Sequence, residues 1–138
     1  MTRARAGGCV LALAMLAAPA GAQSRALAIT LERAPELHPG DHAEIVAVVH
    51  AEDAARGPLL VTPSVDGAAI EVVRGRLFRF DADDPSADPL RFRVPILARS
   101  VGTAVLSVRV DGHACEGARC EAVQVESTLR IDVRGGAR

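Results

Sequence analysis

Aromatic side chains are almost absent from this chain, which has no Trp, no Tyr and only Phe78, Phe80 and Phe92. Proteins that bind single-stranded nucleic acid stack the bases on aromatic rings, and sugar-binding sites use the same rings as platforms. The formal net charge is -1 and every basic residue is an arginine. The chain therefore has no excess of positive charge with which to bind a phosphate backbone. We therefore expect no nucleic-acid partner and no sugar-binding cleft.

Sequence signatures of catalysis and of phosphate binding are missing too. The chain contains neither the G-x-S-x-G elbow of a serine hydrolase nor a glycine-rich phosphate loop. Apolar residues reach 49% of the composition and are mostly Ala, Val and Leu, which favours strands with many small contacts over a cofactor pocket. We expect no cofactor and no enzymatic chemistry beyond what a cysteine pair supplies.

The amino terminus has the three parts of a secretory signal peptide. Arg3 and Arg5 precede an apolar run over residues 9–18, and the small residues 20–22 follow. The apolar run is about half of the roughly 20 residues that a membrane-spanning helix needs. We predict cleavage after residue 22, which leaves a mature chain, residues 23–138, that is periplasmic or secreted and has no transmembrane segment.

The mature chain shows period-two alternation between turn signals, the pattern of short strands. Residues 90–97 alternate apolar side chains with polar ones, among them Arg91 and Arg93, so the arginines are expected to face solvent. Seven to eight such segments, with turn signals every 8 to 12 residues or so, predict an all-β fold for residues 23–138. The expected architecture is an immunoglobulin-like β-sandwich of antiparallel strands.

Three segments carry more specific expectations. Residues 43–51 are apolar at both parities, which predicts a central strand covered on both faces. Pro63 confines its strand to an edge or a bulge, because proline cannot donate a ladder hydrogen bond. Residues 77–80 predict a strand with Phe78 and Phe80 on the same side.

Removal of the signal peptide also removes Cys9 and leaves Cys115 and Cys120 as a pair. An even number of cysteines in an exported protein predicts a disulfide. Four residues lie between them, which is too many for the C-x-x-C motif of thioredoxins, and a four-cysteine zinc site needs a second pair. A structural staple across a hairpin and a redox-active pair both fit the residues.

The segment around the pair resembles a known family. A strand ending near Gly112, a short loop with Gly117 and a returning strand are similar to the amino-terminal, periplasmic immunoglobulin-like domain of the thiol:disulfide reductase DsbD. The similar region covers about thirty residues, and the chain spaces its cysteines one residue closer than the family does. The resemblance implies an electron relay in which Cys115 or Cys120 is the nucleophile, with Asp111, Gly112 and Gly117 as its frame.

Two charged clusters have a functional and a plain interpretation. Four carboxylates, those of Asp81, Asp83, Asp84 and Asp88, lie within eight residues, and calcium binds clustered oxygens. The central Gly and final Glu of an EF-hand are missing, so a solvated turn whose carboxylates accept local amide hydrogen bonds is favoured over calcium. Five arginines, at positions 74, 76, 79, 91 and 93, form either a surface for an acidic partner or solvated strand faces.

The sequence thus predicts an exported accessory or interaction module with no active site of its own. Its partner would be another envelope or secreted protein, bound by a sheet edge or by the loops. The alternative is a thiol:disulfide exchange module that relays electrons through Cys115 and Cys120.

Overall fold

The computed structural model describes residues 26–136, and the predicted signal peptide over residues 1–22 lies outside them. The described chain contains two three-residue 3-10 helices, Asp53–Ala55 and Arg79–Asp81. No helix in this range is long and apolar enough to cross a membrane. The strands are β1 (Leu27–Leu31), β2 (His42–Ala51), β3 (Leu60–Asp66), β4 (Ile70–Val72), β5 (Leu77–Phe78), β6 (Leu90–Ala98), β7 (Gly102–Glu116) and β8 (Arg119–Val133).

The eight strands form two antiparallel sheets, ordered β1-β2-β6-β4 and β5-β3-β7-β8. From β2 to β7 the chain changes sheet at every connection, whereas β1–β2 and β7–β8 are neighbours within one sheet. An immunoglobulin fold places strands A, B, E and D in one sheet and C, F and G in the other. The observed order reproduces this layout, with β5 added beside β3, so the predicted antiparallel β-sandwich is confirmed.

Alternate side chains of both sheets meet in one core. Along β6 the four apolar residues of the predicted inner face, from Leu90 to Ile96, are all buried, whereas Arg91 and Arg93 are exposed as expected. The core consists mainly of Ala, Val, Leu and Ile, and Phe92 is its one aromatic side chain within residues 26–136. No polar or charged side chain is buried anywhere in the described chain. Many small contacts therefore hold the sandwich together.

The expectation that residues 43–51 form a strand covered on both faces is wrong. β2 alternates strictly, with Ile45 and Val49 buried and Val46 and Val48 only half-buried on the outer face. Across the ladder, these two valines lie opposite Arg93 and Arg91 respectively. Cross-strand partners share a face of the sheet, so the aliphatic stems of the arginines lie beside the valines and keep their charged heads in water.

Pro63 was expected on an edge strand or at a bulge, but β3 is an inner strand of its sheet, between β5 and β7. β3 is flanked by β7 along its whole length, but β5 pairs with it only at Leu60 and Val61. The outer side of β3 at Pro63 therefore has no hydrogen-bonded neighbour, and the missing donor costs the ladder nothing.

The predicted strand over residues 77–80 ends after two residues. Asp81 accepts a hydrogen bond from the backbone N–H of Phe78 at 2.7 Å, and its other oxygen accepts one from Arg74 at 2.9 Å. A carboxylate that turns back to an amide three residues earlier closes a 3-10 turn and competes with the strand ladder. Phe78 and Phe80 consequently stack with ring centroids 5.6 Å apart.

Candidate functional site

The cysteines lie near the tip of the long hairpin formed by β7 and β8. The strands are joined by Gly117 and Ala118, and Gly117 has a φ of 60°, which suits the first central position of a type II′ turn. Cys115 and Cys120 are directly opposite each other, with Cα atoms 4.0 Å apart, and form a disulfide. The predicted disulfide is therefore present, and it lies within the two strands instead of in a loop between them.

The end of this hairpin projects beyond the sandwich. The ladder between β3 and β7 stops at Asp111, so residues 112–123 form a two-stranded ribbon, which we call the arm. Within residues 113–122 every side chain except the half-buried Ala114 is exposed, the two cysteines included. Isolated two-stranded ribbons are marginally stable in water, and the disulfide joins the two strands of the arm covalently. It also presents two accessible sulfur atoms.

Gly112 marks the base of the arm. A Cβ atom at this position would lie 2.7 Å from Cδ2 of Leu59 and 3.3 Å from Cδ1 of Leu27, and both leucines are buried. Only a glycine lets β7 leave the core at this point without moving these side chains. The resemblance implies a redox frame that includes Gly112, and the contacts of its Cβ position in the structure are with the core side chains Leu59 and Leu27.

β8 is an edge strand of unusual length for this molecule. The other three edges are β1, β4 and β5, which have 5, 3 and 2 residues, whereas β8 has 15. β8 contains no proline, and its register against β7 runs without a bulge. Among residues 26–136 its outer side is bridged only at Val133, by Leu37. Long, regular edges of this kind are templates for pairing with another strand.

An apolar cleft of about 500 Å³ opens near the base of the arm. It is lined by residues 56–59, residues 78–80 and Pro85, and we call it the aromatic cleft. Phe80 is 73% exposed and Phe78 is 42% exposed. Two of the three aromatic residues of the chain therefore lie on the surface, side by side. Sequence reasoning missed this site, although the scarcity of aromatic residues was a signal that each one matters.

Arg79 holds the walls of the aromatic cleft together. Its Nε donates to the carbonyl of Pro85 at 3.2 Å, and its Nη1 donates to the carbonyl of Gly57 at 3.0 Å. No carboxylate in the described chain forms an ion pair with Arg79, in contrast to Arg56, which pairs with Asp53 at 2.9 Å. The half-buried Arg79 thus brings an unneutralised positive charge to an apolar cleft.

The aromatic cleft and the disulfide are separate features. Phe78 lies opposite Leu60, which in turn lies opposite Asp111, and the cysteines begin four residues further along β7. Four residues of strand span roughly 13 Å. Neither cysteine lines the aromatic cleft, so the phenylalanine rings do not form a cap over the disulfide.

The four aspartates of the candidate calcium site do not converge. Asp81 binds Phe78 and Arg74, Asp83 binds Arg93 at 2.9 Å, and Asp84 accepts hydrogen bonds from the amide and hydroxyl of Ser86 at 3.0 and 2.8 Å. These amide and hydroxyl donors hold the pKa of Asp84 below its usual range. Asp88 shares no such contact, and no group of three metal-ligating side chains occurs between residues 26 and 136.

The five arginines do not form one surface either. Arg91 pairs with Glu32 at 2.8 Å and Arg93 with Asp83 and Glu44, all on the outer face of the sheet that contains β6. Arg74 pairs with Asp81, and Arg79 binds carbonyl groups. Most of these cations are therefore neutralised locally and solvated.

No protein-family model and no curated protein matches this sequence. A crystal structure of native alpha-2-macroglobulin from Escherichia coli, spanning domain MG7 to the C-terminus, is similar to the fold with a TM-score of 0.50 and 14% sequence identity. The similarity covers 79% of this chain and 16% of that chain. At this identity the similarity concerns the fold alone, and it agrees with an immunoglobulin-like sandwich of eight strands.

Proposed function

We propose that this chain is an exported immunoglobulin-like interaction module that binds an envelope or secreted protein by adding a strand of that protein to the edge of β8. The observation that carries the proposal is that β8 is an edge strand of 15 residues whose outer side, among residues 26–136, is bridged only near its end at Val133, whereas the three other edge strands have at most 5 residues. Strand addition takes its affinity from main-chain hydrogen bonds and needs no catalytic group.

The direction of the backbone groups on β8 follows from the hairpin turn. With a two-residue turn, the flanking pair Glu116 and Arg119 is hydrogen-bonded, and hydrogen-bonded and non-hydrogen-bonded pairs alternate from there. The even-numbered residues of β8 therefore direct their N–H and C=O groups away from β7. The 2.8 Å bond from the N–H of Arg134 to the carbonyl of Leu37 obeys the same parity.

Thr128 offers a sharp test, because it is exposed, lies mid-strand and directs its N–H outward. Thr128→Pro removes an outward donor and leaves the ladder with β7 intact, whereas Thr128→Val keeps both the N–H and the β-branched shape. A photo-crosslinking residue at position 126 should yield a protein adduct in cells that export the chain. Thr128→Pro should abolish that adduct and Thr128→Val should retain it. Equal adducts from both variants would contradict strand addition at β8.

Two observations support the location of this module outside the cytoplasm. The chain carries a disulfide in an exposed arm, and disulfides persist mainly in oxidising compartments. The fold also resembles part of a macroglobulin, in which a segment of this size makes up 16% of a longer chain. Both fit a periplasmic or secreted module, and determination of the mature amino terminus by mass spectrometry tests the export.

Thiol:disulfide exchange is the second candidate, favoured by the exposure of both cysteines at the end of the arm. A thiolate of a partner dithiol would attack one sulfur and release the other as a thiolate, giving a mixed disulfide. The second thiol of the partner would then release the reduced pair and leave the partner oxidised. Alkylation trapping in cells discriminates: a population containing reduced Cys115 and Cys120 supports exchange, and a fully oxidised one supports the staple.

A further inference from the structure

We propose that the aromatic cleft binds an extended segment of a partner protein through one apolar side chain that is followed or preceded by a carboxylate. This surface is distinct from the edge of β8, and the proposal stands whether or not strand addition occurs. It assigns a role to Phe78 and Phe80, which the core does not use.

The surface position of the Phe78 and Phe80 rings supports a role in binding. Large apolar side chains usually lie inside a fold, and this chain has only three aromatic residues for its core. It buries Phe92 completely and leaves Phe80 73% exposed. Aromatic residues, Phe among them, are enriched in protein interfaces relative to the rest of the surface. An exposed, stacked pair is therefore better explained by contact with another molecule than by folding.

The shape of the aromatic cleft also suits a peptide segment. Pro58 and Pro85 stand on its sides, and the buried Leu59 lines it together with the two rings. Proline restricts the backbone conformation of the loops that carry it. The cleft is shallow and open, and its volume of about 500 Å³ accommodates a proline or an aliphatic side chain together with adjacent backbone.

The positive charge of Arg79 indicates an acidic ligand. Arg79 has no carboxylate partner in residues 26–136, and its contacts to Pro85 and Gly57 are to neutral carbonyl groups. Among residues 26–136, Nη2 has no hydrogen-bond partner beside these two bonds of Nε and Nη1. A charge beside apolar surface is incompletely solvated, so a carboxylate supplied by the ligand gains a charge-assisted hydrogen bond there. The complementary ligand is consequently acidic as well as apolar.

Hydrogen bonds preorganise the walls of the aromatic cleft. The N–H of Phe78 is bonded to Asp81, Asp81 is bonded to Arg74, and Arg79 ties together the loops on both sides of the cleft. The walls are therefore held in place before any ligand arrives. A preformed site loses little conformational entropy on binding, which favours a short linear segment as its ligand.

The probe for this proposal is a phage-displayed library of random linear peptides, panned against the full-length oxidised chain. We expect enriched peptides to share an aliphatic or proline residue next to Asp or Glu. Binding of a synthetic enriched peptide should weaken about tenfold or more in Phe80→Ser, the loss typical of an anchor residue. The control is Val101→Ser, which removes a side chain that is 61% exposed but remote from the cleft, and it should bind normally.

The charge is tested in the peptide, so that the fold stays untouched. Replacement of its Glu by Gln, or of its Asp by Asn, should weaken binding to the wild-type chain severalfold, and added salt should reduce the difference. Enrichment of no peptide, binding of peptides without an acid, or equal binding to Phe80→Ser would overturn the proposal. Self-association of the chain that Phe80→Ser abolishes would assign the cleft to a second copy and overturn it too.

Discussion

Gly112, at the base of the arm, lies too close to its neighbours to be replaced by a larger residue without displacing them. Its Cβ position lies 2.7 Å from Leu59, so Gly112→Ala must displace a side chain that is only 3% exposed. Overpacking of this kind costs about 1 to 2 kcal/mol. We expect urea unfolding to show this loss, together with weaker peptide binding, because Leu59 also lines the aromatic cleft.

The matched control for that substitution is Gly75→Ala. Gly75 has an ordinary negative φ and open space around its Cβ position, so the change should alter the free energy of unfolding by less than about 0.5 kcal/mol. If Gly112→Ala were as neutral as Gly75→Ala, the close approach at the base of the arm would not be a constraint on the fold.

Asp81 couples the fold to pH through its contacts with Phe78 and Arg74. The backbone N–H of Phe78, and then the guanidinium of Arg74, hold the pKa of Asp81 below its usual range. A carboxyl with a depressed folded-state pKa stabilises the fold above its unfolded-state pKa of about 3.9 and loses that effect as the pH falls through its folded-state pKa.

Asp81→Asn should therefore lower the free energy of unfolding by about 1 kcal/mol at neutral pH. The difference from the wild type should shrink as the pH drops below about 4. Urea titrations at several pH values measure both effects. Glu126→Gln is the control, since Glu126 is exposed and has no side-chain partner in the described chain; a pH-independent deficit in Asp81→Asn would contradict this account.

At the scale of the elements, the arm and the sandwich are expected to respond differently to loss of the disulfide. Within residues 26–136 the arm pairs only with itself, whereas residues 105–111 of β7 are flanked by both β3 and β8. Closure of a six-residue loop contributes roughly 2 kcal/mol in the loop-entropy model. In the double variant Cys115→Ser, Cys120→Ser, hydrogen exchange should accelerate in the arm and stay slow at Leu106 and Val108. Equal acceleration in both would show that the arm unfolds with the core.

Alternation within a segment was enough to predict a strand, whereas features that depend on contacts between segments were not predicted. β6 was predicted within a residue, because it alternates apolar and polar side chains and needs only one buried face. The shortening of β5 depends on a hydrogen bond between Asp81 and the amide of Phe78, which alternation does not encode. The aromatic cleft was missed because its walls come from residues 56–59, 78–80 and 85, which only the fold brings together.

At the scale of the whole molecule, stability and recognition draw on different aromatic residues. Phe92 is fully buried within a core that is otherwise aliphatic, whereas Phe80 is mostly exposed and stacks on Phe78. Phe92→Ala should lower the free energy of unfolding by about 3 to 5 kcal/mol. Phe80→Ala, the same change at the surface, should cost about 0.5 kcal/mol through lost stacking. Urea unfolding and peptide binding, measured on both variants, test this division.

The two variants should give opposite patterns. Phe92→Ala should still bind the peptide under conditions in which it remains folded, because the walls of the aromatic cleft do not include Phe92. Phe80→Ala should be almost as stable as the wild type and bind weakly. A cost above about 2 kcal/mol for Phe80→Ala would exceed what an exposed stacked pair contributes, and it would mean that the ring supports the fold. Phe80 would then be a structural residue and not an anchor for a partner.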